Sequence, residues 1–386
     1  MTERVRLSVQ DVVDYFEGLE DPRSEINRRH PLVSVLVIAL MAVLAGAGGP
    51  TGIAAWANDK RDFLLGLLPL PNGIPQKDVY RRVLSALKPA AFEACFASWL
   101  QSLRVVAEAT SGVEQPVFAV DGKTLRRSHD RNKGLGALHS VSIWATEFGL
   151  SLGQVATEEK SNEITAIPEL LRLVDIKGAI ITIDAMGTQK AIAKEIVNGK
   201  ADYVLALKGN QDSMYKGVTS YIDEHMANNF SDVAARQHTT REKGHGREET
   251  RRYIQMPAPR NLPGFTLWKG LATIGVVISC CLRDGKETTE TRYYISSLSM
   301  GVKRFARAVR AHWGIENTCH WTLDMTYRED ESRIRAVNMR ENFAWLNRFT
   351  LSLLKQHRSK ESVAMKRRHC AWNDNFLTEV VTGKDI

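Results

Sequence analysis

The chain has 386 residues, 44% of them hydrophobic and 25% charged, a balance that supports a sizeable core and excludes global disorder. Its formal charge of +8 favours a polyanionic partner, nucleic acid or membrane surface, without choosing between them. Five scattered cysteines (Cys95, Cys280, Cys281, Cys319, Cys370) form no C-x-x-C pair, which suits a reducing cytoplasm and argues against a disulfide framework or a zinc knuckle.

The opening MTERVRLSVQDVVDYF is amphipathic and lacks the apolar core of a signal peptide. Residues 1 to about 107 read as all helix, beginning with VQDVVDYFEGL and a stop at DPR. Residues 32–57 then carry no charge. They are long enough to cross a bilayer, but Gly46, Gly48, Gly49 and Pro50 leave roughly 15 residues of good helix, short for a span. A buried core helix and no membrane association is the expectation. Helices follow in GIAAWANDKRDFLLGLL, KDVYRRVLSAL and PAAFEACFASWLQSLRVVAEA. The last two flank Leu87 and Pro89 as a helix-turn-helix or an ordinary αα-hairpin; the lack of a groove-facing pattern favours the hairpin.

At Pro116 the composition changes. VFAVDGKTL, ALHSVSIWATE and LSLGQVATE are β-branched runs bounded by turn residues and read as strands. EITAIPELLRLVD is helical, GAIITIDAMG is a buried strand, and TQKAIAKEIVNG is a helix with Thr188 as N-cap and Gly199 as C-cap. ADYVLALKG is a further strand. The order β-β-β-α-β-α-β describes a mixed sheet with helices packed on it, as in the ribonuclease H fold.

A mostly β insertion is expected at about 212–299, formed by a helix, the polar run HTTREKGHGREETRRYIQM, and strands LATIGVVISCCL and TRYYISSL. From Met300 to about Gln356 the pattern is helical, and the basic tail at 357–386 reads as a short helix with a frayed end. The expected domains are therefore a helical N-terminal one (1–107), a ribonuclease H-like one with its β insertion (116–356), and the tail. DNA binding is a role open to the first.

Several residues could carry chemistry. Asp121 directly follows the apolar run VFAV, where an ionised carboxylate is costly without a cation; it also precedes Gly122, as turn aspartates do. Asp184 interrupts an apolar strand, or caps the helix after it. In this strand order the two strands are expected side by side, within reach of one divalent cation. Late in the chain, HWGIENTCHW reads as one continuous helix in which His312, Glu316, His320 and Asp324 recur every four residues and share a face. Glu316 offers a third carboxylate; His320 and Asp324 read more simply as an exposed polar face. A zinc site on His312, Glu316 and His320 is the competing reading, but its histidines stand eight residues apart, too far for one metal on a straight helix.

Three acids holding two Mg²⁺ or Mn²⁺ ions about 3.5–4 Å apart serve in-line phosphoryl transfer. No nucleophile triad and no Walker loop competes with that reading. Basic residues cluster near the acids in sequence: Lys123, Arg126 and Arg127 after Asp121; Lys303, Arg304, Arg307 and Arg310 before Glu316; and Lys243, Arg247, Arg251 and Arg252 in the insertion. They are candidates to neutralise DNA phosphates, or ordinary solvated faces. Trp313, beside His312, could stack on an unpaired base or sit in the core.

The motifs FAVDGKTLRRS, TIDAMGTQ and HWGIENTCHWTLDMTYREDESRIR, with LEDPRS, GIAAWA and IPQKDVYRRVL before them, resemble the insertion-sequence transposases of the ISAs1 type, also called H-repeat-associated proteins. These are relatives of the IS4 group with a DDE active site. The resemblance runs to about Lys355. It implies a cytoplasmic DDE transposase with a ribonuclease H-like fold, acting on double-stranded DNA as an oligomer: metal-dependent cleavage at transposon ends, then strand transfer into target DNA. Matched motif by motif, the catalytic and metal-binding acids are Asp121, Asp184 and Glu316. Val309, His312 and Leu323 stand where the IS4 signature has Tyr, Arg and Lys, which leaves a hairpin intermediate open and keeps Asp324 and Asp330 as lesser candidates for the third acid. The other readings are a catalytically silent DNA-binding derivative, against which the intact acids speak, and a structure-specific nuclease on the same fold.

Overall fold

The computed structural model of the chain describes residues 9–130, 132, 134–157, 163–244 and 246–383. Residues 1–8, Glu158 and His245, on which some of the expectations above fall, lie outside them. The chain opens with helices α1 (Val9–Glu17), α2 (Leu32–Leu44), α3 (Pro50–Asp59), α4 (Arg61–Leu67), α5 (Lys77–Ala86) and α6 (Pro89–Ser111). Strands β1 (Val117–Leu125), β2 (Leu138–Ala145) and β3 (Leu150–Thr157) follow, then α7 (Glu163–Leu173), β4 (Ile180–Ile183), α8 (Lys190–Asn198) and β5 (Asp202–Leu207). Next come α9 (Asp212–Met226), β6 (Arg236–Gly244), β7 (Arg247–Pro257), β8 (Thr273–Arg283) and β9 (Lys286–Ser296). The last part holds α10 (Val302–Gly314), a π-helical turn (Ile315–His320), α11 (Trp321–Met325), α12 (Val337–Gln356), α13 (Val363–Trp372) and α14 (Asp374–Thr382).

Two compact units divide the chain. One comprises Met1–Glu114, Gly122–Lys160 and Glu316–Ile386; the other comprises Gln115–Asp121 and Ser161–Ile315. In the first, α12 packs against α2, α5, α6 and β3 and is buried along nearly its whole length. Phe16, Phe92, Phe96, Trp99, Trp345 and Phe349 interlock there by stacked, edge and tilted ring contacts. Buried polar groups on α12 need partners, because an unsatisfied amide in the core costs about 1–3 kcal/mol. Asn342 Nδ2 accordingly donates to the carbonyls of Leu84 (2.9 Å) and Leu87 (3.1 Å), which fixes the α5–α6 corner as a buried αα-hairpin.

The charge-free helix α2 is a core helix: every residue but Val33 is buried. It stops at Gly46, whose φ of 109° suits glycine, and Pro50 starts α3. No helix among the described residues is long and apolar enough to cross a membrane.

In the second unit β1 pairs parallel with β4, and β4 with β5. The inserted strands extend this sheet: β9 pairs antiparallel with β5, followed by β8, β7 and β6. Helix α10 lies on β4, β5, β6 and β7, with Phe305 and Val309 meeting Val117, Ile180, Val204, Tyr253 and Val277. Gly275 makes room for it, since a Cβ there would stand 2.5 Å from the Phe305 ring. In the first unit β2 pairs antiparallel with β3 and neighbours β1. Antiparallel strands in the first unit and parallel strands in the second, with helices in both, make a mixed α/β fold.

The structure departs from the sequence expectations in five places. The helix expected across GIAAWANDKRDFLLGLL breaks at Lys60, whose φ and ψ of −100° and 24° leave the helical region. Thr188 is not the N-cap of α8; Gln189 is, because the Thr188 hydroxyl donates to the carbonyls of Asp184 (3.0 Å) and Ala206 (2.5 Å). The polar run in the insertion is itself two long strands, β6 and β7, whose exposed charged faces hide their β pattern. The tail forms two capped helices that bury Cys370, Leu377, Val380 and Val381. Finally, HWGIENTCHW is not one α-helix: the π turn adds about one residue per turn, so residues spaced by four no longer share a face.

Candidate active site

The acids of the second unit are placed by strand pairing. Parallel β1 and β4 are in register from Val117 with Ile180 to Val120 with Ile183. Asp121 follows Val120 within β1, and Asp184 follows Ile183 where β4 ends, so each comes one step beyond the last paired residues of strands roughly 4.8 Å apart. Strand β1 continues through Gly122 to Leu125, which rules out the turn-aspartate reading of Asp121. Asp184 does take a local turn role, as its Oδ1 accepts the Gly187 N–H at 3.1 Å. The loop behind it is braced by Thr188, by Asn210 donating to the Ala185 carbonyl at 2.6 Å, and by Gln211 donating to the Thr188 carbonyl at 3.1 Å.

His312 is packed against the same strand. Its Nδ1 lies 3.1 Å from the Thr182 hydroxyl, two residues before Asp184. Burial pushes its pKa down to about 4; the nearby Asp184 carboxylate opposes this and Arg292 adds to it, so the ring is neutral at pH 7. Arg292 also covers the Trp313 ring, 4.3 Å from its centre. Both side chains expected at the DNA thus have partners within the unit.

The basic residues of this unit differ in how they are engaged. Lys303 is exposed. Arg304 donates to Ser299 Oγ at 2.8 Å, and Arg307 to the Gln115 carbonyl. Arg310 pairs with Glu242 at 3.1 Å, and Arg247 with Glu249 at 3.8 Å. Arg251 takes both Glu242 (3.0 Å) and Glu249 (2.5 Å), and Lys243 takes Glu248. The insertion's cations are largely matched by its own acids.

In the first unit Glu316 is exposed at the start of the π turn, and π turns recur at functional sites. Cys319 behind it is buried, which pushes its thiol up to about 12 and makes it inert as a nucleophile. The His320 ring is enclosed; burial first, then Arg348 and Lys123, push its pKa down to about 3. Lys123 is buried, with Nζ 2.5 Å from Asp324 and 3.3 Å from Asp330. Arg126 is exposed but reaches Asp330 at 3.3 Å, and Arg127 is exposed. Beneath them Glu329 and Arg348 form a fully buried pair at 3.3 Å. Sequence reasoning missed that pair: Glu329 lies in the acidic run REDES, which reads as surface, and Arg348 lies in an otherwise unremarked helix.

Asp121 and Asp184 supply the hard oxygen donors that a divalent cation takes, and one or two carboxylates suffice for Mg²⁺ when water and phosphate complete its shell. Among the described residues no three His, Cys, Asp or Glu side chains are grouped to hold a metal.

Residues 113–354 match the family described as Transposase DDE domain, and residues 13–100 match the one described as DDE_Tnp_1-associated. The chain belongs to the DDE transposase family. Its relatives include the putative transposase YncI of Escherichia coli O157:H7, 40% identical over 97% of this chain and 95% of that one. The H repeat-associated putative transposase YhhI of Escherichia coli K12 is 36% identical over 98% of this chain and 100% of that one. Among solved structures, a piggyBac transposase synaptic complex with hairpin DNA covers 99% of this chain and 78% of that one at TM-score 0.39 and 12% identity, too weak a likeness to bear on either fold or function. The protein is an IS4-like DNA transposase with catalysis of the DDE type.

Proposed function

We propose that this transposase cuts double-stranded DNA at transposon ends and joins the freed 3′-hydroxyl to target DNA, with Asp121, Asp184 and Glu316 as its catalytic acids. The observation that supports the reading is the parallel register of Val120 with Ile183, the residues directly before Asp121 and Asp184. The two aspartates would hold the cation, Mg²⁺ or Mn²⁺, with Glu316 as third acid and a second ion completing the pair. A bound divalent cation supplies Lewis acidity and a water of lowered pKa. His312 and Thr188 hold the strand and loop around Asp184 in place.

The motifs support the ISAs1 subgroup. Lys303 and Arg127 are accessible candidates for phosphate contacts, while Arg126, Arg247, Arg304, Arg307 and Arg310 each have another partner to leave first. We read residues 1–107 as a helical N-terminal domain to which DNA binding is open, 116–356 as the catalytic domain with its insertion at about 212–299, and 357–386 as a basic extension, all acting as a cytoplasmic oligomer.

A supercoiled plasmid carrying the element's inverted repeats tests this. Wild type with Mg²⁺ nicks at the repeat ends; Asp121→Asn, Asp184→Asn and Glu316→Gln each bind the ends and do not nick. Acid variants that cut like wild type would remove the assignment.

A further inference from the structure

Lys123 stands two residues beyond Asp121 in β1, and Asp324 stands eight residues beyond Glu316. The Lys123 side chain is 6% exposed, and its Nζ lies 2.5 Å from Asp324 Oδ1, 3.3 Å from Asp330 Oδ1 and 3.9 Å from Glu329 Oε2. Arg348 holds Glu329 from the other side, and Arg126 reaches Asp330. Three carboxylates thus face three cations, so the group closes on itself electrically. An ammonium enclosed this way is not offered to a phosphate. Instead, within the first unit, it ties the last residues of β1, from Gly122 to Leu125, to the segment that holds Asp324 and Asp330. Removing its carboxylate partners would leave the enclosed ammonium uncompensated.

We infer that Lys123 is a positioning residue for strand cleavage: its ion pairs with Asp324 and Asp330 fix the segment carrying Glu316 to β1. The inference rests on the reading of Asp121 and Glu316 as catalytic acids. A shift of about 1 Å in such an arrangement costs on the order of 100-fold in rate. Groups that orient metal ligands typically cost about 10–100-fold in metal affinity when removed.

Lys123→Met is compared with wild type by four measurements: end cleavage, Mn²⁺ binding to the DNA-bound protein by electron paramagnetic resonance, end-DNA affinity across salt concentrations, and Tm. Cleavage is expected to fall about 100-fold and Mn²⁺ affinity at least about 10-fold, with DNA affinity and its salt slope unchanged. Lys123→Arg, which keeps the cation, recovers most of the Mn²⁺ affinity. If Lys123→Met does not fold, Asp324→Asn, whose side chain is 35% exposed, reads the same quantities. A weakened DNA affinity with the salt slope lowered by about one, and Mn²⁺ affinity intact, would make Lys123 a phosphate contact and overturn the inference. So would a loss of cleavage that merely follows Tm with Mn²⁺ affinity intact. Failure of the underlying reading shows separately, as cutting by Asp121→Asn or Glu316→Gln.

Discussion

The molecule holds two groups of acids that look alike in sequence and differ in surroundings. Asp184 in the second unit has its carboxylate on a backbone N–H, and among the described residues no lysine or arginine pairs with it. Glu329 in the first unit faces the Arg348 guanidinium with both side chains fully buried, and Lys123 stands nearby. The first arrangement, among the described residues, brings no lysine or arginine to the carboxylate. The second has its cations built in. A carboxylate matched inside the fold contributes to stability, and one left unmatched at a strand end is available for chemistry.

Substitutions can break or sharpen that contrast. The largest effect is expected at Asp184→Asn: end cleavage falls by on the order of 10³-fold, the scale of several kcal/mol of lost cation chemistry, while Tm stays near wild type. A parallel drop in Tm would erase the distinction. Next is Glu329→Gln, expected to destabilise the protein by about 3–5 kcal/mol in urea unfolding, because Arg348 is left buried and uncompensated. A small loss there would mean that water reaches the pair.

The histidines sharpen the picture further. His320 has a folded pKa of about 3, below its ordinary 6.5, because burial and two cations disfavour its charge. Its contribution to stability is therefore complete above about pH 6.5 and is lost as the pH falls from there toward 3, as the unfolded chain binds the proton first. At pH 5 the loss is about 2 kcal/mol, and His320→Gln should flatten the pH dependence of unfolding over that window. The smallest effect separates the cations. Lys303→Ala, at an exposed residue, should lower the log–log salt slope of DNA binding by about one. Arg247→Ala, whose guanidinium lies 3.8 Å from Glu249, should change it less. Equal slopes would show that the insertion's acids do not shield its basic residues.

Much of the fold was legible because apolar runs report burial. The β-branched runs VFAV and AIITI had to be interior strands, and their order made β1 and β4 neighbours. Strands β6 and β7 were not legible, since their exposed residues alternate charge with charge rather than apolar with polar. The break at Ile315 was not legible either, because nothing in HWGIENTCHW distinguishes an α turn from a π turn. That break undid the shared face expected of His312, Glu316, His320 and Asp324.

By itself, the sequence determined the order of strands and helices, the family, and the presence of an aspartate directly after each of two buried apolar runs. These follow from local pattern, which linear spacing records. Tertiary structure alone decided which charges are matched: that Lys123 is enclosed by Asp324 and Asp330, that His312 turns onto Thr182, and that Arg251 is held by Glu242 and Glu249. Ion pairing depends on distance and solvent exclusion between residues far apart in the chain, and neither quantity is written in the order of the residues.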